Sequence, residues 1–164
     1  MALKKEKTYI DVAQTIIRAI MREPINVIKA KDGYNCYSRC KWKDDNGKFG
    51  IRIESHIGIN ISNMTDPAII DGFTQEEREK IAYFGQDIFI ILHEIGHIRT
   101  LKGLSIENRK KQLDKIRAIH NYFERERAYR LTTAERRADK WAFNWLDKHP
   151  DLAKTYQSML RMAR

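Results

Sequence analysis

The sequence predicts an α+β protein: a small N-terminal antiparallel or mixed sheet with a helix, a long central helix, and further C-terminal helices. Three observations predict it. Apolar residues alternate through Phe49–Ser62 behind the turn signal Asp44-Asp45-Asn46-Gly47. The chain runs without proline from Glu76 to Lys102, with apolar residues recurring at helical spacing from Ile81 to Ile95. Beyond it, charged and apolar residues recur at helical spacing almost to the last residue. At 164 residues, one domain spanning 1–164 is the natural reading: helix and sheet over 1–70, a central helix over 75–102, and C-terminal helices over 107–163.

In chain order, Ile10, Ala13, Ile17, Ile20 and Met21 place an amphipathic helix over 8–22, closed by Pro24. Ile25–Lys31 and Tyr34–Trp42 read as strands separated by the Asp32-Gly33 turn. Phe49–Ser62 reads as one strand, or two bent at Gly58. Thr74 followed by Glu77 is a capping-box pattern, which starts the central helix. Residues 107–130 are helical and heavily charged, 133–147 form a second packed helix, and 150–163 a final short one.

Within the central helix, residues 93–97 read His-Glu-Ile-Gly-His. Imidazoles four positions apart project from one helical face, close enough to hold one metal ion. Glu94 between them is placed to take a proton from an attacking water. Ile81, Phe84, Ile88, Ile91, Leu92 and Ile95 make this helix apolar on most of its surface, so His93, Glu94 and His97 interrupt a buried face. Buried polar groups are costly without a partner, and a metal ion would partner both histidines. The plainer reading is a pair of core histidines held by hydrogen bonds. Gly96 costs helix stability of about 1 kcal/mol against alanine, which either a close approach beside the metal or a tight helix crossing explains. Gln86, two turns before His93, is placed to touch substrate or to reach solvent.

A catalytic zinc takes three protein ligands and keeps one position open. His120 and His149 are candidates for the third, and Glu135 is the better one. It follows the capping residues Thr132 and Thr133, one turn before the apolar stripe Ala138, Trp141, Ala142 and Trp145. An unpaired carboxylate there would be expensive. Asp139, one turn further, is placed to accept the second ring N–H of a ligand histidine and fix its orientation. The small Ala138 and Ala142 allow the two helices to approach. The competing reading pairs both carboxylates with Arg136, Arg137 or Lys140 on a solvated face.

His93-Glu94-x-x-His97 followed by Glu135-x-x-x-Asp139 resembles the gluzincin metallopeptidases. The apolar run into HEIGH and the later Glu-x-x-Ala-Asp-x-x-Ala resemble the ImmA/IrrE-type metallopeptidases of bacteria, phages and integrative elements. The resemblance covers roughly residues 50–147, with specific motifs only on the two helices. It implies a zincin-like active-site helix with zinc held by His93, His97 and Glu135. It also implies Glu94 as general base and Asp139 behind a ligand histidine. Members of the family cleave or disable a helix-turn-helix repressor, so the implied partner is a protein substrate of that kind, a regulator of a phage or mobile element. Two features depart from the family. Lys140-Trp141-Ala142 stands where Phe-Ala is common, and the stretch between His97 and Glu135 is long and charged.

The formal net charge is +9, and between Arg99 and Lys140 thirteen Lys/Arg stand against six acids. This basic 99–140 region, interleaved with Tyr122, Phe123 and Tyr129, suits an acidic partner or weak contact with nucleic acid. The alternative function is therefore a non-catalytic regulatory protein that binds a repressor or nucleic acid through its basic face. His120, Tyr122 and Tyr129 are candidates to donate to the oxyanion. Ile59-Asn60-Ile61-Ser62 is a candidate edge strand for an extended substrate. Cys36 and Cys40 read as free thiols. No apolar stretch approaches a membrane span, and Asp11, Gln14 and Arg18 interrupt any secretory apolar region behind Lys4, Lys5 and Lys7. Cytoplasmic residence is the expectation.

Overall fold

The computed structural model describes residues 8–22, 26–29, 39–41, 50–53, 72–100 and 106–163. Seven helices carry the described structure: α1 (Tyr9–Met21), α2 (Gln75–Phe84), α3 (Gln86–Thr100), α4 (Ile106–Arg117), α5 (Tyr122–Arg130), α6 (Thr133–Lys148) and α7 (Pro150–Met162). The α+β class expected from the sequence is thereby overturned, because the packing seen among described side chains is helix on helix. Among the described side chains, every residue of the main core belongs to a helix, apart from Phe73 just ahead of α2.

Of the expected sheet, the described residues include three short stretches of paired backbone, β1 (Asn26–Lys29), β2 (Arg39–Lys41) and β3 (Gly50–Ile53), in the order β1-β3-β2. β1 runs parallel to β3 and β2 antiparallel to it. The physical reason for the helical packing lies in α3. It is buried over twelve consecutive positions from Gln86 to His97, so it must be surrounded, and α1, α2, α6 and α7 pack against it, with β2 alongside. The proposed turns at 32–33 and 44–47, the edge strand at 59–62, and Cys36 lie outside the described residues.

α1 begins as expected. Thr8 caps it and Asp11 returns the hydrogen bond, Thr8 N–H donating to Asp11 Oδ2 at 3.0 Å. Val12, Ala13, Ile16, Ile17 and Met21 form its buried stripe. Arg99 on α3 donates to the Met21 carbonyl at 2.8 Å, tying the two helices together.

The single helix expected over 75–102 is two. α2 ends at Phe84, and Gly85 takes φ +107°, a left-handed conformation that favours glycine. A Cβ on Gly85 would also collide with the side chain of Gln157. That glutamine, on α7, opens the new helix. Its Oε1 accepts from the Ile88 N–H at 3.0 Å, and its Nε2 donates to Asp87 Oδ2 at 3.1 Å. One of the orphan donors at the start of α3 is thus satisfied from a distant helix, a device that no local pattern reveals. The 107–130 segment also divides, into α4 and α5. Among the described residues, no helix is long and apolar enough to cross a membrane.

Candidate metal centre

α3 and α6 cross at their smallest residues. A Cβ placed on Gly96 would lie 2.6 Å from the Ala138 carbonyl oxygen and 2.9 Å from its Cα. Of the two explanations open for Gly96, the structure shows the tight crossing. The close approach brings the third turn of α3 against the first two turns of α6, where the titratable residues of both helices meet.

His93, His97 and Glu135 are all buried, and their candidate ligand atoms lie within 4.8 Å of one another. His93 Nε2 is 3.2 Å from Glu135 Oε2, and His97 Nε2 is 3.2 Å from Glu135 Oε1. With Zn–N and Zn–O lengths near 2.0–2.2 Å, neighbouring ligand atoms of a tetrahedral site stand about 3.3 Å apart. The donor set and its spacing therefore fit a metal ion. This trio could hold one.

Asp139 sits where the sequence reading put it. Its Oδ1 lies 2.8 Å from His93 Nδ1, which leaves Nε2 facing Glu135. Asp139 is fully buried and Glu135 only 4 % exposed. The solvated-face alternative thus fails for these two carboxylates, although Arg136 does reach Asp139 Oδ2 at 3.4 Å. Arg136 is otherwise spent on Glu77 Oε1 at 3.0 Å and the Gly72 carbonyl at 3.1 Å.

Glu135 is free to face the histidines because another group does its local work. In a Thr-x-x-Glu sequence the glutamate side chain ordinarily returns to the N-cap N–H. Here the Thr132 N–H donates to the Tyr129 carbonyl at 3.0 Å, while Thr132 Oγ1 still accepts from the Glu135 N–H at 3.4 Å. The α5–α6 joint thereby releases the carboxylate into the site.

The electrostatics follow from burial and contact. Burial disfavours the His93 imidazolium, but hydrogen bonds to Asp139 and Glu135 outweigh it and push the group up to about 10. Burial lowers His97, despite its bond to Glu135, and the His93 charge adds to the lowering. Glu135 and Asp139 are both held well below the usual carboxylate range: the imidazole bonds overcome the burial that would raise them. Positive charge is therefore favoured on His93, and a metal ion held by its Nε2 would take the place of a proton there.

Of the other residues considered, His120 is exposed in the α4–α5 link. His149 is exposed at the far end of α6, fourteen residues and about 20 Å from Glu135. Neither joins the trio. Tyr122 is 51 % exposed, whereas Tyr129, 37 % exposed, hydrogen-bonds Glu135 through its side chain. Burial pushes the Tyr129 phenol up, and the neighbouring carboxylate of Glu135 and the charge of Glu94 push it further. Glu94 itself is buried. Gln86 is 8 % exposed, and its amide atoms make no hydrogen bond among the described residues.

Two residues were not anticipated. Arg109 on α4 acts on both His97 and Tyr129 through its charge. Arg130, the last residue of α5, contacts Glu135 and Asp139 directly. Neither carries a sequence signal, since each is one cation in a region full of them. Compared with known proteins, the chain matches no family model, no curated protein and no solved structure.

Proposed function

We propose that this chain is a zinc-dependent metalloendopeptidase that hydrolyses a peptide bond in a protein substrate. The observation that carries the reading is the convergence of two imidazole Nε2 atoms, four residues apart on α3, on the two oxygens of Glu135, each at 3.2 Å. His93, His97 and Glu135 would hold the ion. When bound, zinc supplies Lewis acidity that polarises a carbonyl and lowers the pKa of water. Zinc is the metal of choice here because two neutral imidazoles and one carboxylate are a common catalytic zinc set.

The chain's own residues supply the rest. Glu94, between the two histidines, takes the proton from the attacking water and passes it to the leaving amine. Asp139 holds His93 by Nδ1, at 2.8 Å, so that Nε2 keeps its aim. Tyr129 stays protonated far above neutral pH, so its hydroxyl is a donor suited to the developing oxyanion. The resemblance to ImmA/IrrE-type peptidases suggests the substrate: a helix-turn-helix repressor or another regulator of a phage or mobile element.

A second reading has its own observation. Tyr122 and Phe123 are 51 % and 55 % exposed on α5, with the Arg125 guanidinium 5.7 Å above the Tyr122 ring. Exposed aromatics among cations suit a binding surface for a repressor or for nucleic acid, with no catalysis.

The deciding experiment compares new protein N-termini in host cells expressing the wild type or Glu94→Gln. Specific termini that vanish in the variant, which should retain metal, are the expected result. Identical termini from both proteins would remove the peptidase reading and favour the binding one.

A further inference from the structure

Arg130 occupies an unusual place for a cation: beside a candidate metal site, with its side chain only 15 % exposed. Its Nη1 donates to Glu135 Oε2 at 3.0 Å, and its Nη2 donates to Asp139 Oδ2 at 2.9 Å and Oδ1 at 3.0 Å. These are not arbitrary carboxylate atoms. Glu135 Oε2 is the oxygen facing His93 Nε2, and Asp139 Oδ1 is the one facing His93 Nδ1. One guanidinium thus bridges the two groups that grip opposite ends of the same imidazole. Its position is fixed from below as well, 4.8 Å over the Phe73 ring, which meets Phe89 and Phe143 edge-on.

A positive charge here has two opposed effects on a metal ion. It repels the cation, and it orients the ligands. The doubly contacted Asp139 carboxylate largely neutralises the first effect, because the guanidinium and Asp139 form a paired unit. What remains is orientation. Without the fork, two buried carboxylates one helical turn apart would lose three donors and could turn away from His93.

We propose that Arg130 is a positioning residue of the metal centre, clamping Glu135 and Asp139 so that His93 Nε2 and the Glu135 carboxylate share one aim. The proposal rests on the metal-centre reading above. The planar fork is essential to it: a lysine ammonium is a point donor and cannot span both carboxylates in the same way.

The test is zinc affinity, measured by competition with a chromophoric chelator, together with the visible spectrum of the Co²⁺-loaded protein. Wild type, Arg130→Met, Arg130→Lys and Arg125→Met are compared, with helical content checked by circular dichroism. Arg125→Met removes one positive charge from the same helix. The expected result is a loss of about 10–100-fold for Arg130→Met, the usual range for partners behind metal ligands. Partial recovery with lysine, an altered Co²⁺ spectrum in both Arg130 variants, and wild-type zinc affinity and Co²⁺ spectrum for Arg125→Met complete it. Unchanged or tighter binding by Arg130→Met, or full recovery with lysine, overturns the clamp. Should Arg130→Met fail to fold, the lysine variant decides alone: wild-type affinity and spectrum overturn the clamp, and weakened binding supports it. A wild type that binds no zinc removes the metal centre and the clamp together, whereas equal binding by wild type and variant removes only the clamp.

Discussion

Gly96 and Ala138 are in contact so close that a single added methyl group would not fit: a Cβ on Gly96 would stand 2.6 Å from the Ala138 carbonyl oxygen. Backbone, rather than a flexible side chain, is the obstacle. α3 and α6 approach at this point, and His93, His97, Glu135 and Asp139 lie within one turn of it along their helices.

Gly96→Ala is therefore expected to destabilise the protein by about 1–3 kcal/mol through overpacking, despite the better helix propensity of alanine. Zinc affinity should fall with it, because the two helices must separate. Chemical denaturation and zinc titration check both. A more stable Gly96→Ala protein would show that the crossing is looser than described.

Glu135→Ala is expected to lower zinc affinity by at least about 100-fold, more than is typical of a partner behind the ligands. His149→Ala should leave it unchanged, as His149 lies exposed at the opposite end of α6. Metal content of the two purified variants distinguishes them. Retention of one zinc by Glu135→Ala would mean that another group is the third ligand.

The pH dependence of the chelator-treated protein has a definite shape. His93 is raised from 6.5 to about 10, so its contribution is complete below pH 6.5 and is lost as pH climbs toward 10. His97 is lowered from 6.5, so it costs stability as pH falls below that value. Glu135 and Asp139 are lowered from 4.5 and 3.8, and their contributions disappear as pH falls through and below those values. Thermal stability without metal should therefore peak near pH 6.5 and decline on both sides. A melting temperature that rises steadily from there toward pH 10 would contradict the His93 contacts.

Gln86→Met is expected to be neutral or to stabilise the protein by about 1 kcal/mol, because the buried amide makes no hydrogen bond among the described residues. Denaturation midpoints read the effect. Stability gained while specific cleavage is lost would mean that the amide serves the substrate. A marked loss of stability would mean that it has an internal partner after all.

Much of the candidate site was legible in the residues alone. The four-residue spacing of His93 and His97, with Glu135 and Asp139 four apart on a second amphipathic stripe, defines faces through helix geometry, which is local. The capping pattern at Thr74 was equally local, and that cap forms. The fold class was not legible. The short run Gly50–Ile53 does pair as a strand, but such a run does not say how much of the central helix is covered by helices instead. That outcome depends on which stripes meet in space.

The sequence by itself determined which helical faces are apolar and which titratable residues interrupt them, because side-chain direction along a helix follows from residue spacing. The tertiary structure alone decided four things. Gln157 reaches across from α7 to open α3 behind Gly85. Gly96 admits Ala138. The Tyr129 carbonyl takes over the cap and releases Glu135. Arg130, one of thirteen cations between Arg99 and Lys140, holds both Glu135 and Asp139. Each is a contact between residues on different elements or across a joint, and such contacts are selected by close packing and by the cost of burying an unpaired polar group. Neither of those acts until the helices have met.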